Sequence, residues 1–185
     1  MNGENRISGL SFEPFMQEHL QACLDIYTYY VENSTATFHT HIPSMDEFMG
    51  IVYLGGERNK GFIIRHEGLI CGYVVLGRYS IREAYNDTGS IAIYLSADCC
   101  GKGIGRAALE FIEQYAQEQG FHTLVATICG ENLQSIKLFE RHGYFKCAHY
   151  RELGKKFDRM LDIVAYQKII ARSSEPAAST FEVKL

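Results

Sequence analysis

Residues 100–106 read Cys100-Gly101-Lys102-Gly103-Ile104-Gly105-Arg106, a run of small residues between two apolar segments of different periodicity. The segment before it, residues 89–96, is typical of a strand, and the apolar positions from Ile104 to Tyr115 recur at helical spacing. Glycines let the backbone turn sharply, and the first N–H groups of the helix face the turn without partners. Such a turn binds phosphate. The pattern therefore predicts a diphosphate site made of main-chain atoms.

The same residues allow two other interpretations. One is an ordinary glycine-rich turn from a strand into a helix, which a short pattern of this kind does not exclude. The other is a dinucleotide-binding fingerprint, because residues 103–108 also fit G-x-G-x-x-A. That fingerprint normally follows the first strand of a repeated βαβ unit, whereas this segment begins past the middle of a chain of 185 residues. Too little sequence follows it to complete a doubly wound nucleotide fold.

Outward from this turn, predicted helices and strands alternate along the chain. A helix is predicted over residues 16–31 and another over residues 132–142, and a capping-box pattern of Ser44 and Glu47 predicts a third that ends at Gly55-Gly56. Besides residues 89–96, strands are predicted over residues 7–12, 61–65, 69–76, 123–128, 144–150 and 160–168. This order predicts a mixed α/β sheet with helices on both faces.

Length and composition fit a single globular domain. The chain is 46% hydrophobic and 22% charged, and we place the domain at residues 1–170 and a flexible tail, rich in Ser, Ala and Pro, at residues 171–185. A net charge of −4 argues against a nucleic-acid partner, which usually requires a basic surface. The sequence shows neither an apolar run long enough to span a membrane nor a signal peptide, so we expect a cytoplasmic protein.

The cysteines and histidines show no metal-binding spacing, and we predict no metal site. Close to a helix N-terminus, Cys99 and Cys100 could gain thiolate character, although inert thiols are the favoured interpretation. His39 and His41 are interpreted as structural or solvated. Free thiols are predicted at all of Cys23, Cys71, Cys99, Cys100, Cys129 and Cys147.

Residues 91–144 resemble the GCN5-related N-acetyltransferase (GNAT) family. The family's pyrophosphate loop, Q/R-x-x-G-x-G/A, corresponds to residues 100–105, and its signature N-x-x-S-x-x-L-Y-E-K-x-G-F is similar to residues 132–144. Two motifs in the family's order are more specific than either motif alone. The resemblance implies an N-acetyltransferase with acetyl-CoA as co-substrate and a single domain whose mixed sheet is mostly antiparallel.

From about residue 26 to residue 168 the chain also resembles phosphinothricin acetyltransferases and their methionine sulfone or sulfoximine relatives. The matching pieces include residues 32–38, 82–85 and 93–96. This resemblance implies transfer of the acetyl group to the amine of a small amino-acid-like substrate. It also implies a homodimer.

The family resemblance implies a donor site built largely from the backbone. Ile93, Tyr94 and Leu95 would pair with the pantetheine arm as an added strand would. The N–H of Leu95 would also meet the oxyanion of the tetrahedral intermediate. Asn132 would hydrogen-bond the pantetheine, with Ser135 close by. The diphosphate would be held by Gly101, Lys102, Gly103, Ile104, Gly105 and Arg106.

On the acceptor side the resemblance implies that Arg82 and Tyr85 line the pocket and that Phe38 walls it. An arginine suits an amino-acid carboxylate because it can donate two parallel hydrogen bonds. Glu32 is the predicted general base, because it matches a family glutamate beside the acceptor pocket, and water-relayed loss of the proton is the alternative.

Three positions depart from the patterns of these families. Ser90 stands where phosphinothricin-type enzymes carry a glutamate, Phe139 stands where the family often has a tyrosine that protonates the leaving thiolate, and Cys100 replaces the usual Gln or Arg. Two other functions therefore stay open. One is acetylation of a peptide or protein N-terminus, which requires an open groove, and the other is weakly catalytic or regulatory acyl-CoA binding.

Overall fold

A computed structural model describes residues 7–53 and 56–170 of the chain. The strands are β1 (Leu10–Pro14), β2 (Lys60–His66), β3 (Leu69–Arg78), β4 (Thr88–Leu95), β5 (Thr123–Cys129), β6 (Phe145–Lys156) and β7 (Arg159–Ile169). They form one sheet in the order β1-β2-β3-β4-β5-β7-β6, antiparallel except for the pair β4 and β5. The helices are α1 (Leu20–Asn33), α2 (Met45–Ile51), α3 (Ile104–Glu118) and α4 (Leu133–Arg141).

Helices cover both faces of this sheet because its central strands are apolar on both sides. In β2, Ile63 packs with α1 and α2, whereas its neighbour Ile64 belongs to the core under α3 and α4. Strand β3 repeats this division with Tyr73 and Val74. Successive strand residues point to opposite faces, so uninterrupted apolar runs predict burial on both sides. The predicted mixed, mostly antiparallel sheet with helices on both faces is confirmed.

Several predicted element boundaries were wrong, among them that of β1, which was predicted over residues 7–12 and spans Leu10–Pro14. Helix α1 begins at Leu20 rather than residue 16, because residues 17–19 form a separate 3-10 turn in which His19 Nδ1 accepts a hydrogen bond from the Met16 N–H at 3.0 Å. Helix α2 keeps the predicted capping box but ends at Ile51, before the predicted stop. Gly55 of that predicted stop lies outside the described residues, as does the predicted tail 171–185.

A further boundary error concerns the last two strands. Strand β6 continues to Lys156, and only two residues, Phe157 and Asp158, connect it to β7. Both have a left-handed backbone, with φ of 51° and 57°, as a tight two-residue hairpin turn requires. Residues 151–155 are mostly exposed because β6 is an edge strand, so they lack the apolar alternation by which a strand is recognised in sequence.

A disulfide joins Cys71 of β3 to Cys99, whose Cα atoms lie 5.8 Å apart. The prediction of free thiols is therefore wrong for these two cysteines. The Ser96 N–H donates to the Cys71 carbonyl at 2.8 Å, and this contact brings the 3-10 turn at residues 97–99 against β3. Their separation of 28 residues gives no local signal of the pairing. The other four cysteines are free.

None of the helices in the described part of the chain is both long and apolar enough to cross a membrane.

Candidate active site

The only parallel pair among the described strands separates soon after it begins. Strands β4 and β5 pair through Thr88, Gly89 and Ser90 alone, and beyond Ser90 they diverge. Residues 91–95 consequently keep β3 on one side and have no strand on the other. A groove of about 760 Å³ opens at this gap. Because its floor is an unpaired strand edge, an extended ligand with amide groups can bind there as an additional strand.

Five segments of the chain wall this groove, and one of them is β5, which contributes residues 126–128. The end of α1 and the loop after it contribute Tyr30 and residues 34–36, and β4 contributes residues 91–95. The glycine loop contributes Gly101, Gly103, Gly105 and Arg106, and the start of α4 contributes Asn132 and Ser135. Nine of the predicted donor residues therefore surround one groove: Ile93, Tyr94, Leu95, Gly101, Gly103, Gly105, Arg106, Asn132 and Ser135.

The glycine loop gives the groove its anion-binding character. Gly101 and Gly103 have φ of 75° and 80°, a left-handed conformation that side chains disfavour. Gly103 is the N-cap of α3, and the first intrahelical bond runs from the Ala107 N–H to its carbonyl at 3.1 Å. The N–H groups before Ala107 are left without intrahelical partners at the positive end of the helix.

The side chains around this loop contribute less than its backbone. Ile104 is buried in the core, so only its main chain could face a ligand. Lys102 is exposed and does not line the groove. Arg106 is exposed at the rim, where its Nε donates to Glu110 at 2.8 Å. The predicted diphosphate contacts of this segment therefore rest on main-chain N–H groups.

The end of β4 is held from two sides. The Tyr30 hydroxyl donates to the Leu95 carbonyl at 2.6 Å, and burial raises the pKa of this phenol. On the other side, Gly72 of β3 approaches so closely that a methyl group there would overlap the Tyr94 carbonyl. These contacts fix the strand end at which the resemblance places the oxyanion-binding N–H of Leu95.

At the opposite wall, Asn132 is the N-cap of α4. Its Oδ1 accepts from the Ser135 N–H at 3.1 Å, which directs the Asn132 side chain to the helix start beside the groove. Phe139, about two turns into the same helix, is buried against Tyr144 with ring centroids 4.9 Å apart. Its side chain lines the groove but carries no proton for a leaving group.

The predicted acceptor residues do not converge on this groove. Arg82 and Tyr85 lie in the β3–β4 connection, both exposed, and Tyr85 packs against Tyr79 with ring centroids 5.5 Å apart. Glu32 is exposed on α1 and does not line the groove. Phe38 follows the groove residues 34–36 in the sequence but does not line the groove. Its ring packs on Gly154 of β6 so closely that a methyl group on Gly154 would overlap it.

Sequence reasoning missed a buried polar cluster beside the groove. The Tyr27 hydroxyl lies 2.6 Å from both Thr37 Oγ1 and His39 Nδ1, and its ring contacts that of Tyr94. Burial raises the pKa of Tyr27. A second missed residue is Lys156, which is buried at the end of β6. Lys156 has no local signal, because its partners lie more than 100 residues away in the sequence. The partners of Tyr27 lie 10 and 12 residues away, at no spacing typical of a helix or a strand.

A mixed sheet that opens at the one parallel pair among its described strands, with a glycine loop and helix start at the open edge, is the arrangement expected of an N-acetyltransferase. Comparison with known proteins specifies the family. Residues 15–165 match the family described as "Acetyltransferase (GNAT) domain". The chain belongs to this family, and the predicted class of enzyme is confirmed.

Known relatives and solved structures fit the predicted resemblance. An L-methionine sulfoximine/L-methionine sulfone acetyltransferase of Pseudomonas aeruginosa is 33% identical over 100 residues, which cover 54% of this chain and 58% of the relative. A phosphinothricin acetyltransferase of Sinorhizobium meliloti, solved in complex with acetyl-CoA, superposes with a TM-score of 0.84 at 25% identity, covering 94% of this chain and 96% of the other.

A third similar protein is named for a protein acceptor rather than for a small amino-acid-like acceptor. The ribosomal-protein-alanine N-acetyltransferase of Brucella melitensis superposes with a TM-score of 0.80 at 27% identity, covering 86% of this chain and 99% of the other. The fold is therefore shared by enzymes named for small amino-acid-like acceptors and for a protein acceptor.

Proposed function

We propose that this protein transfers the acetyl group of acetyl-CoA to the amine of a small amino-acid-like substrate of the phosphinothricin or methionine sulfone and sulfoximine type. The observation that carries the donor assignment is the unpaired edge of β4, which leads directly into the glycine loop. An extended pantetheine arm and a diphosphate require these two features in this order. The small acceptor is supported by the relatives described above.

In the proposed donor complex, Ile93, Tyr94 and Leu95 pair with the pantetheine arm, and Asn132 donates to it beside Ser135. The backbone of residues 101–106 holds the diphosphate. The amine attacks the thioester carbonyl, and the Leu95 N–H stabilises the negative oxygen that forms. The C–S bond then breaks and coenzyme A leaves. Since Phe139 cannot donate a proton, the thiolate takes one from water.

The acceptor side of the proposal keeps the residues predicted from the sequence. Arg82 binds the substrate carboxylate, Tyr85 and Phe38 contribute to the pocket, and Glu32 accepts the amine proton directly or through water. Arg82 and Tyr85 are exposed in the single chain, so their role requires that the β3–β4 connection or a second copy of the chain approach the groove. A second copy could supply this approach, and we accordingly propose a homodimer. As expected from the sequence, we also propose that the protein is cytoplasmic and has no nucleic-acid partner.

Thiol release from acetyl-CoA tests the proposal against a panel of amino acids, methionine sulfone, phosphinothricin and short peptides. The expected result is turnover with the amino-acid analogues and little with peptides. Peptides as the better acceptors would instead favour N-terminal acetylation, a function that the Brucella neighbour supports. Saturable acetyl-CoA binding without turnover on any amine would favour a binding module, to which Ser90 and Phe139 point.

Arg82→Ala tests the acceptor site separately from the donor site. We expect the KM of the acceptor to rise at least about tenfold, since charge-assisted hydrogen bonds contribute about 1.5–3 kcal/mol, while calorimetry shows unchanged acetyl-CoA affinity. Arg78→Ala is the matched control, because Arg78 is an exposed arginine at the start of the same connection. An unchanged acceptor KM in Arg82→Ala would remove Arg82 from the acceptor site.

A further inference from the structure

Lys156, the last residue of β6, has a buried side chain, only 3% of which is exposed. Its Nζ donates to the carbonyls of Tyr30 at 3.2 Å, Ser34 at 2.7 Å and Thr37 at 2.8 Å. A lysine ammonium has three hydrogens, so its donors are fully used. Lysines are almost never this buried unless they are paired. Here the hydrogen-bond partners among the described residues are backbone carbonyls.

The position of these carbonyls explains why a cation is stable there. Tyr30 lies in the last turn of α1, and its carbonyl also accepts from the N–H of Ser34, the C-cap, at 3.2 Å. Both carbonyls lie at the end of the helix where its dipole is negative. Burial lowers the pKa of Lys156, and the ring of Phe157 lies 5.0 Å from its Nζ. Lys156 therefore caps α1 from the opposite end of the sequence.

The segment that Lys156 holds is a wall of the groove. We call residues 34–38 the strap. Its residues 34–36 line the groove, Thr37 bonds to Tyr27, and Phe38 packs on Gly154 of the same strand as Lys156. Strand β6 thus contacts the strap at two points. The Lys156 ammonium binds strap carbonyls, and Gly154 packs against the Phe38 ring.

Tyr30 connects this arrangement to the end of β4. Its carbonyl accepts from Lys156, and its hydroxyl donates to the Leu95 carbonyl at 2.6 Å. The ammonium therefore fixes both the strap and the helix turn that holds the proposed oxyanion-binding strand. It lies outside the groove lining and touches no position assigned to a reacting atom.

We propose that Lys156 is a positioning residue for acetyl transfer, which holds the strap and the last turn of α1 where an acceptor amine meets the thioester. This inference rests on the proposed function. It assigns no proton transfer to Lys156. Among the described residues, the hydrogen bonds of Lys156 go to Tyr30, Ser34 and Thr37 and none goes to the glycine loop or the start of α4. Loss of the ammonium should therefore affect the acceptor reaction much more than donor binding.

The test compares Lys156→Met with Lys155→Met, since Lys155 is the neighbouring lysine with 64% of its side chain exposed. We expect kcat/KM for the acceptor to fall about 100-fold in Lys156→Met, because misplacement by about 1 Å can cost this much, with acetyl-CoA affinity changed less than about threefold. Lys155→Met should match the wild type. Lys156→Arg keeps a buried cation, so its kcat/KM for the acceptor should be at least about tenfold higher than that of Lys156→Met.

A purely structural role would lower the melting temperature and the folded fraction while leaving the KM of both substrates and the kcat per folded molecule unchanged. That result, or an equal loss of donor affinity, overturns the inference. If Lys156→Met does not fold, Gly154→Ala decides, because its methyl group displaces Phe38 and the strap without removing the charge. Acceptor kcat/KM at the wild-type level in folded Gly154→Ala would overturn the inference.

Hydrogen exchange separates a failure of this inference from a failure of the proposed function. The N–H groups of Ala36 and His39 are bonded to side chains within the strap, to Ser34 Oγ and Thr37 Oγ1. If Lys156 holds the strap, these amides exchange at least about tenfold faster in Lys156→Met. This holds even if the wild type acetylates no amine in the panel. Unchanged exchange would overturn the inference whatever the substrate is.

Discussion

The two ends of the groove are built differently. The donor end consists of backbone from short continuous stretches, residues 91–95 and 101–106, whose shape is set by one splayed strand and two left-handed glycines. The proposed acceptor end is bounded by the strap, which the end of β6 holds only through tertiary contacts. A site made of backbone tolerates exchange of most side chains. A site made of distant side chains depends on each of its contacts.

The largest effect expected from this comparison follows replacement of a loop glycine. Gly101→Val should weaken acetyl-CoA binding about 100-fold in calorimetry, because lost phosphate contacts of about 1.5–3 kcal/mol are expected when the loop moves. Gly120→Val is a matched control, since both glycines have φ of 75° and open space around an added methyl group. A left-handed valine costs about 1–2 kcal/mol of stability in either variant.

The control makes the glycine prediction specific. Gly120 ends α3 far from the groove, so Gly120→Val should lower the melting temperature as Gly101→Val does but leave donor affinity within about twofold. Equal affinity in the two variants would show that the diphosphate does not bind at residues 101–106.

An intermediate effect is expected for the labelling of Cys100, which lines the donor end. Saturating acetyl-CoA should slow its alkylation by iodoacetamide at least about tenfold, since a bound ligand covers the thiol, while exposed Cys147 keeps its rate. Mass spectrometry of the labelled peptides measures both rates. Protection of Cys147 as well, or of neither, would contradict the proposed donor site.

The same experiment reports on the remaining cysteines. Burial raises the pKa of the Cys23 thiol to about 12, so at pH 8 only about one molecule in ten thousand carries the thiolate. Cys23 should react only after unfolding. Cys71 and Cys99 should react only after reduction of their disulfide, and labelling of either one in native, unreduced protein would contradict the pairing.

The smallest change in kcat is expected at the contact of Tyr30 with Leu95, between the proposed donor and acceptor ends of the groove. Tyr30→Phe removes the hydroxyl that donates to the Leu95 carbonyl and should lower kcat about fivefold, the equivalent of one hydrogen bond of about 1 kcal/mol, with unchanged acetyl-CoA affinity. Tyr29→Phe is the control, because Tyr29 is the adjacent, half-exposed tyrosine. If both variants keep the wild-type kcat, the Tyr30 contact does not position Leu95.

The donor end could be predicted from the sequence because its determinants are contiguous. Three glycines at fixed spacing between a strand and a helix specify the loop, and Asn132 with Ser135 specifies the start of α4. No comparable signal predicts Lys156, which lies beyond the strand predicted over residues 144–150. Its burial depends on a turn at Phe157 and Asp158 and on contacts more than 100 residues away. The pairing of Cys71 with Cys99 was missed for the same reason.

The acceptor assignments show the limit of motif matching. Arg82, Tyr85 and Glu32 fit family positions, yet in the single chain all three are exposed and outside the groove. A motif records which residues occur together in a family, whereas the approach of loops or of a second chain decides which residues face a ligand. For that reason most of the predicted donor residues lie around one groove, whereas the predicted acceptor residues do not.

Through the short pairing of β4 with β5, a bound donor would contribute to the stability of the fold. With only three residues paired, the sheet has a gap that a bound donor would fill, so part of the cooperative structure would be contributed by a metabolite. A ligand that binds only the folded state at 100 times its Kd adds about 2.7 kcal/mol to the free energy of unfolding. The lifetime of this protein in a cell would then rise and fall with the supply of activated acetyl groups.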